Sequence, residues 1–463
     1  MDKVNIVCTG MLDTKGTEIK YLADMVKFFG GNSIVMDLSL GHENDWADVS
    51  LAEVLKMTQT LPEDVFSMPR SSAFPVVGKA AALKIDELYR LGRVDGIISW
   101  AGTIGASTVT YAMRALPIGV PKIMLCTGAS GDVSGWLENS DILISNPISE
   151  KGINKITKKT VAPAVAGVVA MAKARKRLDE GVTATTSNPL AAVTLYGTTT
   201  RVAARCASFL ETRGWDVLFI HQTGTGATME DLIRSGDIVA LFDLTPGELT
   251  NTAFQSVYGV PDTWKGERFT AAFDMGIPCV ASAGGLDQVA YGTRNGLPGV
   301  FMQDFEEGRR VSLNNCKKPF IHASSTTIIP TTVEETAQFA RYMVERFNRA
   351  KGKSVFLIPM RGWSAYDQSR HHARDKDMGW SADSDAPVWI ADSTNQEWSA
   401  RAVAMWEVFS KCVVRDNPNI DILKCDLHIL DDCFGDFANI IMGDILDEKW
   451  EKGMYRNLPY VIT

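Results

Sequence analysis

Short runs of Val, Ile, Leu, Met and Cys recur along the chain, each closed by glycine or hydroxyl residues and followed by a segment whose apolar positions keep helical spacing. Runs that are apolar at consecutive positions, rather than at alternate ones, belong to strands covered on both faces. Their alternation with helices predicts an α/β chain of two Rossmann-like domains, with mainly parallel sheets flanked by helices. In the first half the spacing predicts strands over 4–9, 33–38, 96–100, 122–127 and 142–145, with helices over 15–29 and 80–91. A long Ala- and Val-rich helix is expected over 156–178, and the polar stretch after it, with Gly181, Ser187, Asn188 and Pro189, marks a boundary between domains 1–183 and 184–463. The rhythm then resumes without repeating the sequence, with strands expected over 192–196, 216–221, 238–244, 278–282, 354–359 and 421–428. Between 362 and 395 the chain turns polar and Trp-bearing, which reads as a long covering or functional loop.

Length supports the division: 463 residues exceed the roughly 250–300 at which one core stops growing. Apolar residues at 45% and charged residues at 22% exclude an intrinsically disordered chain. A net charge of -8 argues against nucleic acid as a partner, because a phosphate backbone selects a basic face. No apolar run reaches the roughly 18 residues of a membrane span, so no membrane is expected. The chain opens directly on a strand pattern, MDKVNIVCTG, and the expected compartment is the cytoplasm. Eight scattered cysteines without a CxxC pair read as reduced core thiols.

The candidate chemistry lies where strands end. After the first strand, Gly10, Asp13, Thr14, Lys15, Gly16 and Glu18 stand where a helix begins, and a helix start aims free N–H groups at an anion. Lys15 would add a point charge to a phosphate, Thr14 a hydroxyl, and Asp13 or Glu18 would hold Mg²⁺, another divalent metal or a ribose hydroxyl. The run matches neither phosphate-loop nor dinucleotide spacing, and a plain helix cap explains the same residues. Two further loops, with Gly102, Thr103, Gly105 and Ser107, and with Thr127, Ser130, Gly131 and Asp132, fall on the same edge of a parallel sheet, where such folds bind ligands. In the second half His221 precedes Thr223, Gly224, Thr225 and Gly226 in another anion-cradle pattern; the histidine is a candidate acid or base, or a strand-end residue bonded to backbone. Asp243, Gly284, Asp287, Arg361, Gly362, Ser364 and His428 also follow strands. Gathered at one edge, His221, Asp287, Arg361 and His428 would be catalytic, with the glycines, Thr223, Thr225, Asp243 and Ser364 holding substrate. His221, Asp287 and His428 are also residue types that hold zinc, although no short-spaced ligand pair occurs, and the adjacent His371 and His372 read as solvated.

The segments GMLDTKGTE, PKIMLCTGASGDV, HQTGTGATMEDLI, DLTPGEL, SAGGLDQVAYG, PMRGWS and DLHILDD occur in an order that resembles one family throughout nearly the whole chain. It is the largely uncharacterised family related to the N-terminal ATP-binding region of the tomato mosaic virus resistance protein. The resemblance implies two Rossmann-like subdomains, ATP binding in some members, and homo-oligomers of two or more subunits. It implies that Asp13, Thr14, Lys15, Gly16, Glu18, Gly131 and Asp132 belong to nucleotide-loop motifs of the first domain. The leading expectation is a metabolic enzyme that binds ATP or another phosphate ligand and acts on a small acidic or carbonyl substrate, by phosphoryl transfer or by carbon–carbon hydrolase or lyase chemistry. The alternative is a non-catalytic ATP-binding module that regulates a protein partner.

Overall fold

The structure, a computed structural model, describes residues 3–181, 188–262, 264–292, 297–310, 319–324, 326–369 and 388–462. The chain divides into two compact units, Met1–Thr186 and Ser187–Thr463. His371, His372 and Cys316 lie outside the described residues, as does most of the polar loop expected over 362–395.

In the first unit, β1 (Asn5–Gly10), β2 (Asn32–Asp37), β3 (Gly96–Trp100), β4 (Lys122–Leu125) and β5 (Leu143–Ser145) form one sheet in the order β2-β1-β3-β4-β5. All its pairings are parallel. Strand parity explains the unbroken apolar runs. Ile6, Cys8 and Ile98 join the core under helices Leu12–Phe28 and Lys155–Gly181, whereas Val7, Ile97 and Met124 join the core under helices Arg70–Arg90 and Thr103–Ala115. Both faces are covered, so neither can tolerate the polar alternation of a half-exposed sheet.

The second unit repeats the layering with more strands. β6 (Leu190–Leu195), β7 (Asp216–His221), β8 (Ile238–Asp243), β9 (Cys279–Ala281), β13 (Ser354–Pro359), β14 (Ile420–Cys425) and β15 (Val461–Ile462) make a sheet ordered β15-β14-β13-β9-β8-β6-β7. It is parallel apart from the short β15. Helices Thr200–Thr212 and Asp432–Leu446 bury one face, and Gly226–Ser235, Val333–Phe347 and Ala400–Cys412 the other. A separate antiparallel sheet, ordered β10-β12-β11, is built from β10 (Gln288–Tyr291), β11 (Phe320–Ala323) and β12 (Thr326–Pro330). This small sheet was not expected from the sequence, because its strands are four or five residues long and carry no alternation.

In both units the chain reverses its direction across the sheet, at β1/β3 and at β6/β8. Above such a switch point the loops diverge and leave a crevice at the carboxyl edge of the strands. Cys8, Cys126, Cys206, Cys279 and Cys425 are buried free thiols, but Cys412 and Cys433 are exposed, which corrects the expectation of core thiols at those two positions. Among the described residues, no helix is long and apolar enough to cross a membrane.

Candidate functional site

The switch point of the first unit opens into a cavity of about 410 Å³ lined by Met11, Thr14, Lys15, Arg70, Ala101–Gly105, Glu150 and Lys151. Two helices start here. Leu12–Phe28 follows Met11, but its Asp13 amide donates to Ser39 Oγ at 3.0 Å, so that start is met from within the chain; Thr103–Ala115 follows Gly102 without a side-chain cap and presents its N-terminus to the cleft. Lys15 is nearly buried; its Nζ donates to the Glu150 carbonyl and lies 3.9 Å from the Glu150 carboxylate. Burial draws the Lys15 ammonium below its ordinary range, against the pull of Glu150 and Glu18. Glu150 is itself 60% exposed. A Cβ placed on Gly102 would fall 2.5 Å from Glu150 Oε1, so the acid leans over the start of the second helix. The cleft thus combines cationic side chains and one open helix start, at Thr103, with the exposed Glu150 carboxylate beside them.

Of the residues expected to hold a nucleotide, Thr14, Lys15, Gly102, Thr103 and Gly105 line this cavity. The others have different employment. Asp13 Oδ2 accepts from the Gly41 amide at 2.9 Å, and Glu18 Oε1 accepts from the Gly152 amide at 2.7 Å, so both carboxylates pin neighbouring loops. Gly10 is required by packing, since a Cβ there would lie 2.9 Å from Ile19, and Gly16 faces Trp46. Ser107 bonds to the Thr103 carbonyl and accepts from the Trp136 indole within the layer. In the third loop Ser130 bonds back to Thr127, and Asp132, lowered chiefly by the Ser134 amide, closes a local turn beside Gly131.

The second unit treats its glycine loop differently. The amides of Gly224 and Gly226 both donate at 3.2 Å to Oε2 of Glu248, a fully buried residue. Glu248 Oε1 accepts from Arg268 Nε at 2.9 Å. Arg268 also forks onto Asp243 at 2.7 and 2.9 Å, reaches Glu230 at 3.2 Å, and donates to Gln222 at 2.9 Å. The expected anion cradle therefore exists, but the chain fills it with its own carboxylate. A side chain at Gly226 would collide with Glu248, and Asp243 is engaged by Arg268 and Thr194 rather than open to substrate. Burial raises Glu230 and Glu248 above the usual carboxylate range, and Arg268 opposes that rise.

Beside this network, at the switch point, lies a cavity of about 450 Å³. Tyr196, Gly197 and Thr198 reach it from the end of β6, His221 and Thr223 from the end of β7, and Gln288, Ala290, His322 and Thr326 from the small sheet. Tyr196 is held by Asn251, whose Nδ2 donates to the phenol oxygen at 2.9 Å while Oδ1 accepts from the Ala290 amide at 2.8 Å. Because Asn251 is the donor, Tyr196 Oη keeps its own proton for another acceptor. Burial, together with Glu248 and Asp287, holds that phenol well above its ordinary range, so it stays protonated. The His221 ring lies edge-on at 5.9 Å from Tyr196, with Nδ1 3.2 Å from Thr223 Oγ1. Burial lowers His221 from its ordinary value, leaving it neutral and basic at neutral pH. Across the cavity lining, His322 Nδ1 and the Tyr366 hydroxyl are 2.7 Å apart.

His221 is the one expected catalytic residue that lines this cavity. Arg361 makes a two-pronged pair with Asp426 at 2.9 and 3.0 Å, which corrects its reading as a substrate clamp. His428 is fully buried; Nε2 donates to the Asp367 carbonyl at 3.1 Å and Nδ1 accepts from the Leu430 amide at 3.1 Å, so both ring nitrogens serve the fold. Gly362, at φ 128°, makes the turn under it, where a Cβ would strike the Asp367 carbonyl. Gly284 packs against the Leu244 carbonyl. Asp287 accepts from Ser364 at 2.7 Å and, with Asp367, flanks the buried Arg401; burial holds Asp287 up and pushes Asp367 up to about 7. Thr225 bonds to the His221 carbonyl. Among the described residues no three His, Cys, Asp or Glu side chains are placed to hold a metal ion, so His221, Asp287 and His428 are not gathered as a zinc site. The sequence reading missed Tyr196, Asn251, Gln288, His322 and Tyr366. The one signal it could have used is Tyr196, an aromatic residue immediately before Gly197 at the end of a buried strand.

Residues 4–177 match the N-terminal domain, and residues 188–380 the C-terminal domain, of the uncharacterised protein family UPF0261. A UPF0261 protein of Clostridium tetani is 33% identical over 366 residues, which is 78% of this chain and 85% of that one. A second, of Rhizobium meliloti, is 31% identical over 78% of this chain and 85% of its own length. The ToMV resistance protein Tm-1(GCR237) of Solanum lycopersicum is 29% identical over 78% of this chain, and the match spans 48% of that longer protein.

Proposed function

The chain belongs to the uncharacterised protein family UPF0261, and we propose that it is a metabolic enzyme with two ligand sites: the first cleft takes a phosphate-bearing ligand, ATP foremost, and the second cavity takes a small carbonyl compound. The observation that carries the enzymatic reading is Tyr196, a protonated phenol oriented by Asn251 and set edge-on to a neutral His221. A carbonyl oxygen receiving the Tyr196 proton in a hydrogen bond is polarised, and negative charge that develops on it is stabilised by a donor already in place. His221 then removes a proton from the adjacent carbon, hydroxyl or water. That pairing favours carbon–carbon hydrolase or lyase chemistry. Phosphoryl transfer at this cavity is disfavoured, because the described lining residues include no lysine or arginine to neutralise a phosphoryl group. The acidic-substrate reading loses its main support with Arg361 already paired to Asp426.

In the first cleft Lys15, Arg70 and Lys151 have the charge to hold phosphates, and the helix start at Thr103 adds backbone donors. ATP bound there would supply a polyphosphate and, where turnover requires it, a phosphoryl group. Among the described residues no three His, Cys, Asp or Glu side chains are placed to hold Mg²⁺, and no step is assigned to that ion. The working form in this reading is a homo-oligomer, as the family resemblance implies, in the cytoplasm.

The test is exchange in heavy water. The whole protein, with and without ATP and Mg²⁺, is incubated with enolisable ketones and keto acids, and loss of the proton signal beside the carbonyl is followed by NMR. Exchange is expected, with Tyr196→Phe and His221→Ala each lowering its rate by about 10²–10⁴-fold. A protein that binds ATP yet exchanges none of these compounds would be a binding module instead.

A further inference from the structure

The second cavity also carries unmet hydrogen-bonding groups. Gln288, 7% exposed, buries its side-chain Oε1 without a partner, and Thr198, 6% exposed, does the same with Oγ1. Both line the cavity, and neither atom reaches water. A buried polar atom left unmatched is costly, so two in one cavity wall mark a place completed by something from outside the chain. The geometry is rigid: Asn251 ties Tyr196 to the Ala290 amide, and Ala290 stands two residues along β10 from Gln288, on the same side of the strand. One wall therefore offers an acceptor at Gln288, a hydroxyl at Thr198 and the free proton of Tyr196.

The charge around the cavity narrows the ligand further. Among the described residues no lysine, arginine, aspartate or glutamate lines the cavity, and the nearby cations Arg268 and Arg401 are committed to Asp243, Glu248, Glu230 and Asp367. An anion entering here meets the Gln288 carbonyl and, among the described residues, no uncommitted lysine or arginine. The walls are aromatic, with the Tyr196–His221 and His322–Tyr366 ring pairs and Tyr258.

We propose that the second cavity selects a flat, uncharged ligand bearing a carboxamide-type edge, whose N–H donates to Gln288 and whose carbonyl accepts from Tyr196. This rests on reading the cavity as the substrate site and names the class of compound it takes. Thr198 meets the ligand's remaining polar group, and 450 Å³ accommodates a single ring with a short substituent.

The probes are benzamide and its carboxylate isostere benzoate, titrated against the whole protein by calorimetry. Benzamide is expected to bind at least ten-fold more tightly than benzoate. Gln288→Leu should remove that preference, and Thr198→Val should weaken benzamide by several-fold, with thermal unfolding used to confirm that both variants fold. Benzoate binding equal to or tighter than benzamide, no benzamide binding up to its solubility limit, or unchanged benzamide binding by folded Gln288→Leu would overturn the proposal. Benzamide has no enolisable carbon, so binding without any carbonyl exchange would remove the proton-transfer reading while leaving this one standing.

Discussion

The two units place a crevice at the same point of the same architecture and furnish it in opposite ways. In the first, a helix start and Lys15 are met by Glu150, a side chain 60% exposed at the rim. In the second, the Gly224 and Gly226 amides are met by Glu248, 0% exposed and held by Arg268. Both are glycine-bearing loops after buried strands, and by residue type they are interchangeable. What separates them is whether the counter-anion can leave. An exposed glutamate paired in high dielectric contributes about 0–1 kcal/mol and yields to a phosphate. A buried one that bridges two loops and an arginine is part of the fold. In the proposed function this leaves the first crevice to an external anion and the second to a neutral ligand among aromatic walls.

Several substitutions sharpen or break this contrast. The largest effect is expected from Arg268→Ala, which strands Asp243, Glu230 and Glu248 in the interior; unfolding in urea should show a loss of about 3–5 kcal/mol, and a loss below 1 kcal/mol would dissolve the distinction. Next is the catalytic pair in the second cavity. Its pH profile has a definite sign: His221 acts as a base and is held below its ordinary value, so exchange should persist through neutral pH and fall only below the usual imidazole range. A rate that instead rises on acidification would give His221 the opposite role. In the first cleft, Lys15→Ala should weaken ATP by about ten-fold or more, read by calorimetry, since a partly buried charge is removed from the anion site. Glu150→Gln should tighten ATP by a few-fold, because the competing carboxylate is neutralised while its shape remains. The smallest effect belongs to Arg361→Lys, which weakens a half-exposed fork to Asp426 by about 1 kcal/mol or less and leaves both ligand sites unchanged.

The contrast also explains what could be read from the residues alone. The strands over Gly96–Trp100 and Ser354–Pro359 were legible to the residue, because strands buried on both faces leave unbroken apolar runs. The small sheet that brings Gln288 and His322 to the cavity was not, because four-residue strands within polar sequence carry no period. Lys15 and Gly102 were recognisable as lining a cleft from their place after strands. Arg361 and His428 looked equally functional, yet their partners, Asp426 and the Asp367 carbonyl, stand 65 and 61 residues away in the sequence. Residue type reveals what a side chain can bind, and only the fold reveals whether the chain has already supplied it. Arg268, which decides the fate of the second glycine loop, carries no motif at all.

The most direct measurement is hydrogen–deuterium exchange of the whole protein with and without saturating ATP, resolved by peptide. The account predicts new protection over 101–105, with the Gly224 and Gly226 amides unchanged because Glu248 already occupies them. Protection of 222–226 by ATP, with the first cleft unaffected, would contradict it.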